Sequence, residues 1–222
     1  MRLACDQTFH SFVPGARSSE AHATAIALAR GRAGAPRLLL LFGPPGVGKT
    51  HLLRAILDFA RRRYAVAIPE TSTAELIQRV IGRHDEHPSS LGRQQAEWLV
   101  VDDLHLLAGK PVTQAEVARL LKTVVGRGGR VACATGGSLT RITALVEVVQ
   151  GVTSAKAVEV RPPKPDEMRR ILAMRAEAVG LRLGARTLAA LTDQGRGDVR
   201  RAIGALTHLR FKKSLRAQAE LR

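Results

Sequence analysis

The chain has 222 residues, 45% of them apolar and 24% charged, enough to bury one substantial core and a small appended lobe. That mixture excludes a disordered, collagen-like or coiled-coil protein. A net charge of +16, from 35 Lys plus Arg against 19 Asp plus Glu, points to a polyanionic partner.

No apolar run approaches the roughly 18–20 residues that cross a bilayer; the richest, residues 38–42, is cut off by Gly43. Residues 1–10 lack the apolar segment of a secretory signal, so a soluble, cytoplasmic protein is expected. Cys5 and Cys133 are too few for a disulfide framework or a zinc cluster. The basic charge is densest at residues 161–222, where 15 basic side chains face 6 acidic ones.

In chain order, residues 8–15 mix Phe9, Phe12 and Val13 with Pro14 and Gly15 and read as a docked loop ahead of a helix over residues 18–30. Residues 38–42 read as a buried strand, and Leu52, Leu53, Ile56, Leu57 and Ala60 give residues 50–63 helical periodicity. A short strand at 65–68, a helix over 72–81 with Thr73 as its N-cap and a polar turn over 82–92 follow. Residues 98–101 form a third strand ending in Asp102 and Asp103. A helix over 113–125 then leads through the glycines at 126–129 into a fourth strand at 130–134.

This alternation predicts an α/β core with a mostly parallel sheet flanked by helices. Beyond the proline-rich hinge at 161–165 the pattern is helical, at 166–179, 185–194 and 198–213. The expected organisation is a nucleotide-binding core, 1–160, and a helical lid with a basic tail, 161–222.

Gly43-Pro44-Pro45-Gly46-Val47-Gly48-Lys49-Thr50 fits the phosphate-loop pattern and lies between a predicted strand and a predicted helix, as its mechanism requires. The glycines let backbone amides turn inward around a phosphate chain at a helix N-terminus. Lys49 would reach the β- and γ-phosphates, and the Thr50 hydroxyl would ligate Mg²⁺. Pro45, Gly46, Val47 and Gly48 complete the loop's nucleotide-binding set. Downstream, the 98–101 strand delivers Asp102 toward the Mg²⁺ shell and Asp103 toward an attacking water. On its own, such an acidic strand end also serves as a helix N-cap.

These motifs together with a helical lid resemble the AAA+ ATPases, and within them the nucleotide-binding domain of the bacterial initiator DnaA and its shortened, Hda-type relatives. Thr8-Phe9-His10-Ser11-Phe12-Val13-Pro14-Gly15 resembles the family's entry loop, which implies that Phe12 and Val13 contact the adenine of ATP or ADP. The family's match to the phosphate loop runs on through Thr50-His51-Leu52-Leu53, which implies that His51 joins the nucleotide-binding set. Val101-Asp102-Asp103-Leu104-His105-Leu106-Leu107-Ala108-Gly109-Lys110 is similar to its second acidic motif, and Gly197-Asp198-Val199-Arg200-Arg201-Ala202 to the lid helix carrying its second sensor.

The resemblance implies that Arg200 senses the γ-phosphate, with Arg201 as a competitor. It also implies that Thr135 is the only polar residue in the place of the first sensor. The family's arginine-rich stretch is replaced by Leu145-Val146-Glu147-Val148-Val149-Gln150-Gly151-Val152-Thr153-Ser154, and no arginine occurs between Arg141 and Arg161. Lys156 is a substitute point charge. Weak ATPase activity is therefore expected.

Only Phe211-Lys212-Lys213 and a short basic tail follow the lid, so a helix-turn-helix DNA-binding domain is not expected, although phosphate-backbone contact is. The implied function is a nucleotide switch in replication initiation or its regulation. It would pair with the initiator or a related AAA+ protein, and an oligomer could form with nucleotide. A helicase-loader or transposition-helper ATPase of the DnaC and IstB type is the alternative.

Overall fold

The computed structural model describes residues 7–64, 70–73, 98–137 and 139–219. Its strands β1 (Leu38–Gly43), β2 (Glu70–Ser72), β3 (Trp98–Asp102), β4 (Arg130–Gly136) and β5 (Ala155–Glu159) form one sheet in the order β2-β3-β4-β1-β5. Every neighbouring pair is parallel, so all the strands end at the same edge. Strand β1 lies between β4 and β5, with Phe42 paired to Thr135 on one side and to Glu159 on the other.

Four consecutive leucines suit β1 to an interior position in the sheet, between β4 and the edge strand β5. Successive side chains of a strand point to opposite faces, and a parallel sheet covered on both faces demands apolar residues at every position. Leu39 and Leu41 join the core built with α1 (Ser19–Arg30) and α2 (Lys49–Tyr64). Leu38 and Leu40 join the core of the other face, built with α3 (Pro111–Gly126) and α4 (Thr143–Gly151). None of the four is more than 1% exposed, and each such burial is worth about 1.5–3 kcal/mol.

Cys133 is buried in the second core, where burial pushes its thiol up to about 12 and leaves it an inert small hydrophobe.

After β5 the chain leaves the sheet. The Val160 amide donates to the Phe42 carbonyl at 2.7 Å, and residues 161–164 lead into α5 (Pro165–Glu177), α6 (Ala185–Gly195) and α7 (Val199–Ala219). These helices bury Met168, Leu172, Leu191, Ala202 and Leu206 against one another. Glu167 ties α5 to the entry loop, since its carboxylate accepts from the amides of Ala16 and Lys164, each at 2.9 Å. Burial raises its pKa, but those two amides and the charges of Lys164 and Arg170 outweigh burial and leave it lowered.

Most predicted elements differ from the observed ones only at their ends. The predicted strand at 65–68, most of the helix over 72–81 and the turn over 82–92 lie outside the described residues. Ser72, expected to open that helix, instead closes β2, and the buried Thr73 hydroxyl donates to the Asp102 carbonyl.

Candidate nucleotide site

The phosphate loop connects the end of β1 to the start of α2, at the edge where the parallel strands end. Gly46 has φ +75, a left-handed conformation costly for any residue with a Cβ. A Cβ there would also stand 1.8 Å from Asp198 Oδ1, so the side of the loop is in contact with the start of α7. The Val199 amide donates to the Gly46 carbonyl at 2.9 Å, and Asp198 Oδ1 accepts from the Arg201 amide at 3.0 Å, capping the helix.

Lys49 is 8% exposed, and its ammonium donates to the carbonyls of Gly43 and Pro44 at 2.8 and 2.7 Å. Burial lowers its pKa; Asp102 and Asp103 oppose that shift, and Arg200 adds to it. Thr50 Oγ1 donates to Asp102 Oδ2 at 2.6 Å, which places a hydroxyl and a carboxylate side by side at the C-terminal edge of the sheet. Asp103 occupies the left-handed region at φ 58, and its amide donates to Asp102 Oδ1 at 2.8 Å. That turn re-aims the second aspartate after β3 has ended.

A cavity of about 640 Å³ runs over this edge. It is lined by Pro45, Gly46, Val47, Gly48, Lys49, Thr50 and His51, by Asp102 and Asp103, by Phe12 and Val13 and by Arg200, so one space brings together every proposed site residue except Thr135. Arg201, the competitor of Arg200, is exposed and does not line the cavity. Thr135 is 1% exposed, and its hydroxyl makes no hydrogen bond; Gly136, the last residue of β4, and Gly137 after it are the residues that line the cavity here. Lys156 is ion-paired with Glu20 at 2.9 Å.

At the entry-loop end of the cavity, Phe12 stacks on His22 with 5.2 Å between ring centroids and meets His51 edge-on at 5.3 Å. His51 Nε2 lies 2.9 Å from the Thr8 carbonyl, which fixes the proton on Nε2 and leaves Nδ1 to accept from Arg175 Nη2 at 3.5 Å. Sequence reasoning missed Arg175, His105 and Arg161, all of which line the cavity. Arg175 reads as one more basic position on a helix, and only the fold buries it, to 8% exposure beside His51.

Burial pushes His51 down to about 4; the charges of Arg175 and His22 add to that, and the Thr8 carbonyl opposes it. With the folded value below the ordinary 6.5, the unfolded chain takes up this proton first. Stability therefore falls as the pH drops from 6.5 toward 4, by about 3 kcal/mol for this group. In urea titrations across that interval, His51→Gln should lose this part of the slope; an unchanged slope would contradict the assignment.

A glycine loop at the N-terminus of α2, a buried ammonium and the Thr50–Asp102 pair form a set suited to a nucleotide polyphosphate with its Mg²⁺. Thr50 and Asp102 would hold the ion, which supplies charge neutralisation at the phosphate oxygens. The fold and the site together define a P-loop protein of the AAA+ class.

The model of the bacterial DnaA ATPase domain matches residues 3–152. The chromosomal replication initiator protein DnaA of Thermus thermophilus is 30% identical over 206 residues, which is 90% of this chain and 47% of that protein. Among solved structures, domain III of the Thermotoga maritima replication initiation protein DnaA superposes with a TM-score of 0.84 at 21% identity, covering 98% of this chain and 92% of that one. AMPPCP-bound DnaA from Aquifex aeolicus superposes at 0.78 with 18% identity, covering 96% and 67%. The chain belongs to the bacterial DnaA ATPase-domain family, and it spans about half the length of the Thermus relative.

Proposed function

We propose that this protein is a DnaA-related nucleotide switch that binds ATP or ADP with Mg²⁺. It would act in the cytoplasm in replication initiation or its regulation, pairing with the initiator or a related AAA+ protein. The observation that carries this reading is the contact between the two parts of the cavity. The start of α7 is hydrogen-bonded to the phosphate loop itself, through Val199 and Gly46, a contact that supports a coupling between occupancy of the loop and the position of that helix. The AMPPCP in the Aquifex relative supports the choice of ligand.

In this reading the core, 1–160, supplies Lys49 to the β- and γ-phosphates, Thr50 and Asp102 to the Mg²⁺, and Asp103 to the attacking water. The lid, 161–222, supplies Arg200 to the γ-phosphate, and the choice of Arg200 over Arg201 is supported by the cavity lining. Phe12 and Val13 flank the base. Thr135 would act from beneath the glycines that follow it.

Hydrolysis is expected to be slow. A trans-acting arginine is typically worth about 10³–10⁵ in rate, no arginine lies between Arg141 and Arg161, and Lys156 is held by Glu20. Calorimetry should show Mg²⁺-dependent binding of ATP and ADP, and a steady-state assay should show far less than one turnover per second. Brisk multiple turnover by the protein alone would overturn the switch, and absent heat with both nucleotides would overturn the site.

A further inference from the structure

The edge of the sheet opposite the cavity carries a dense group of arginines. Helix α2 runs about 24 Å from Lys49 to Tyr64, so its last turn lies at the far pole, where β1, β3 and β4 begin. Arg130 opens β4, and its guanidinium lies 5.5 Å from the Tyr64 ring centroid and 5.3 Å from that of Trp98. Arg63 lies 5.7 Å from the same Tyr64 ring. The Tyr64 hydroxyl donates to the Arg30 carbonyl at 3.4 Å, and a Cβ at Gly31 would stand 2.0 Å from Arg130 Nη2, which brings the end of α1 into the group. Arg37, one residue ahead of β1, donates to the Gly128 carbonyl at 2.6 Å.

Arg30, Arg32, Arg37 and Arg63 are exposed, and Arg130 is half-buried. Arg62 pairs with Asp58 at 2.8 Å, but no carboxylate among the described residues pairs with Arg30, Arg32, Arg37, Arg63 or Arg130. The partially negative end of a helix accounts for cations in its last turn, as at Arg30 and Arg63. It does not account for Arg32 in the connection after α1, Arg37 ahead of β1 or Arg130 at the start of β4. Like charges crowded in this way favour a multivalent anion, and guanidinium forks match phosphate oxygens in bidentate geometry.

We propose that this pole binds the phosphate backbone of duplex DNA without sequence preference. Backbone binding needs only the guanidinium array. Single-strand binding uses aromatic rings as stacking platforms, and here Trp98 is 9% exposed and the half-buried Tyr64 already has the guanidiniums of Arg63 and Arg130 over its ring, so neither ring is presented to a base. The surface shares no residue with the cavity, and the proposal stands whether or not the cavity takes a nucleotide.

The test is fluorescence anisotropy with 30-base-pair duplexes of two unrelated sequences, over a salt series. The triple variant R30Q/R32Q/R63Q should bind both duplexes about tenfold or more weakly at 0.1 M salt, with the log–log salt slope shallower by about 2–3. R182Q/R186Q/K212Q removes as much charge from the C-terminal helices and the connection ahead of α6, where the sequence is most basic, and should leave affinity and slope near those of the parent. An unchanged slope in the first variant, or an equal loss in both, would overturn the proposal. So would a tenfold preference of the parent for a single strand, or an effect of the first variant confined to phosphatidylserine vesicles. A circular dichroism melt within 3 °C of the parent's in each variant excludes misfolding as the cause.

Discussion

Replacing Lys49 with alanine should weaken ATP and ADP binding by about 2–4 kcal/mol, a loss of tens to hundreds of fold, with little change in the stability of the free protein. The ammonium has two partners in this structure, the carbonyls of Gly43 and Pro44, and both belong to the loop it would leave to meet a phosphate. Its burial already depresses its pKa, so removing it recovers much of the desolvation cost that its hydrogen bonds offset. A phosphate chain in the loop would lose the buried cation that the loop's own helix supplies, since Arg175, equally buried, lies against His51 and Arg200 is exposed. Nucleotide should raise the melting temperature of the parent by mass action and leave that of the variant almost unmoved. Equal shifts in the two would mean that the ligand sits elsewhere.

The elements that hold the site were the easiest to read. A strand of four leucines, a glycine loop and an apolar period of 3.6 are local patterns, and β1, the loop and α2 appear where they were expected. The acidic strand end was legible for the same reason, and β3 ends at Asp102. What sequence could not supply was geometry across elements. Arg200 and Arg201 are adjacent in one motif, and only the angle at which α7 leaves the loop sends the first into the cavity and the second outward. Thr135 occupies the expected place in the chain, but the alternation of β4 turns its side chain into the sheet's interior and leaves Gly136 and Gly137 at the edge.

Arg175 shows the reverse case, a residue with no motif whose place follows from burial. It lies seven residues after Met168 and three after Leu172 on the inner face of α5, a spacing that sequence alone assigns to packing. The distribution of charge was also misleading when read along the chain. Residues 161–222 are the most basic by count, yet the arginines that crowd together come from α1, α2 and the starts of β1 and β4, segments separated by as much as 100 positions. A parallel sheet gathers all its strand starts, and the ends of the helices between them, at one pole, so charges dispersed in sequence become neighbours there.

Gly46→Ala should uncouple α7 from the phosphate loop and cost at least tenfold in nucleotide affinity. Two separate terms act on it. A Cβ at φ +75 costs about 1–2 kcal/mol whatever its surroundings, and it also overlaps the Asp198 carboxylate that caps α7. Asp198→Ala removes the obstacle and the cap together, and alone it should cost about 1 kcal/mol of helix stability. The double variant G46A/D198A should therefore be less damaged than the sum of the single changes, because the steric term is counted in only one of them. Hydrogen exchange at the amides of Val199 and Ala202 reads the docking of α7 directly, and calorimetry reads the loop. Strict additivity of the two changes in both measurements would mean that the carboxylate moves aside freely, and the contact between helix and loop would then transmit nothing.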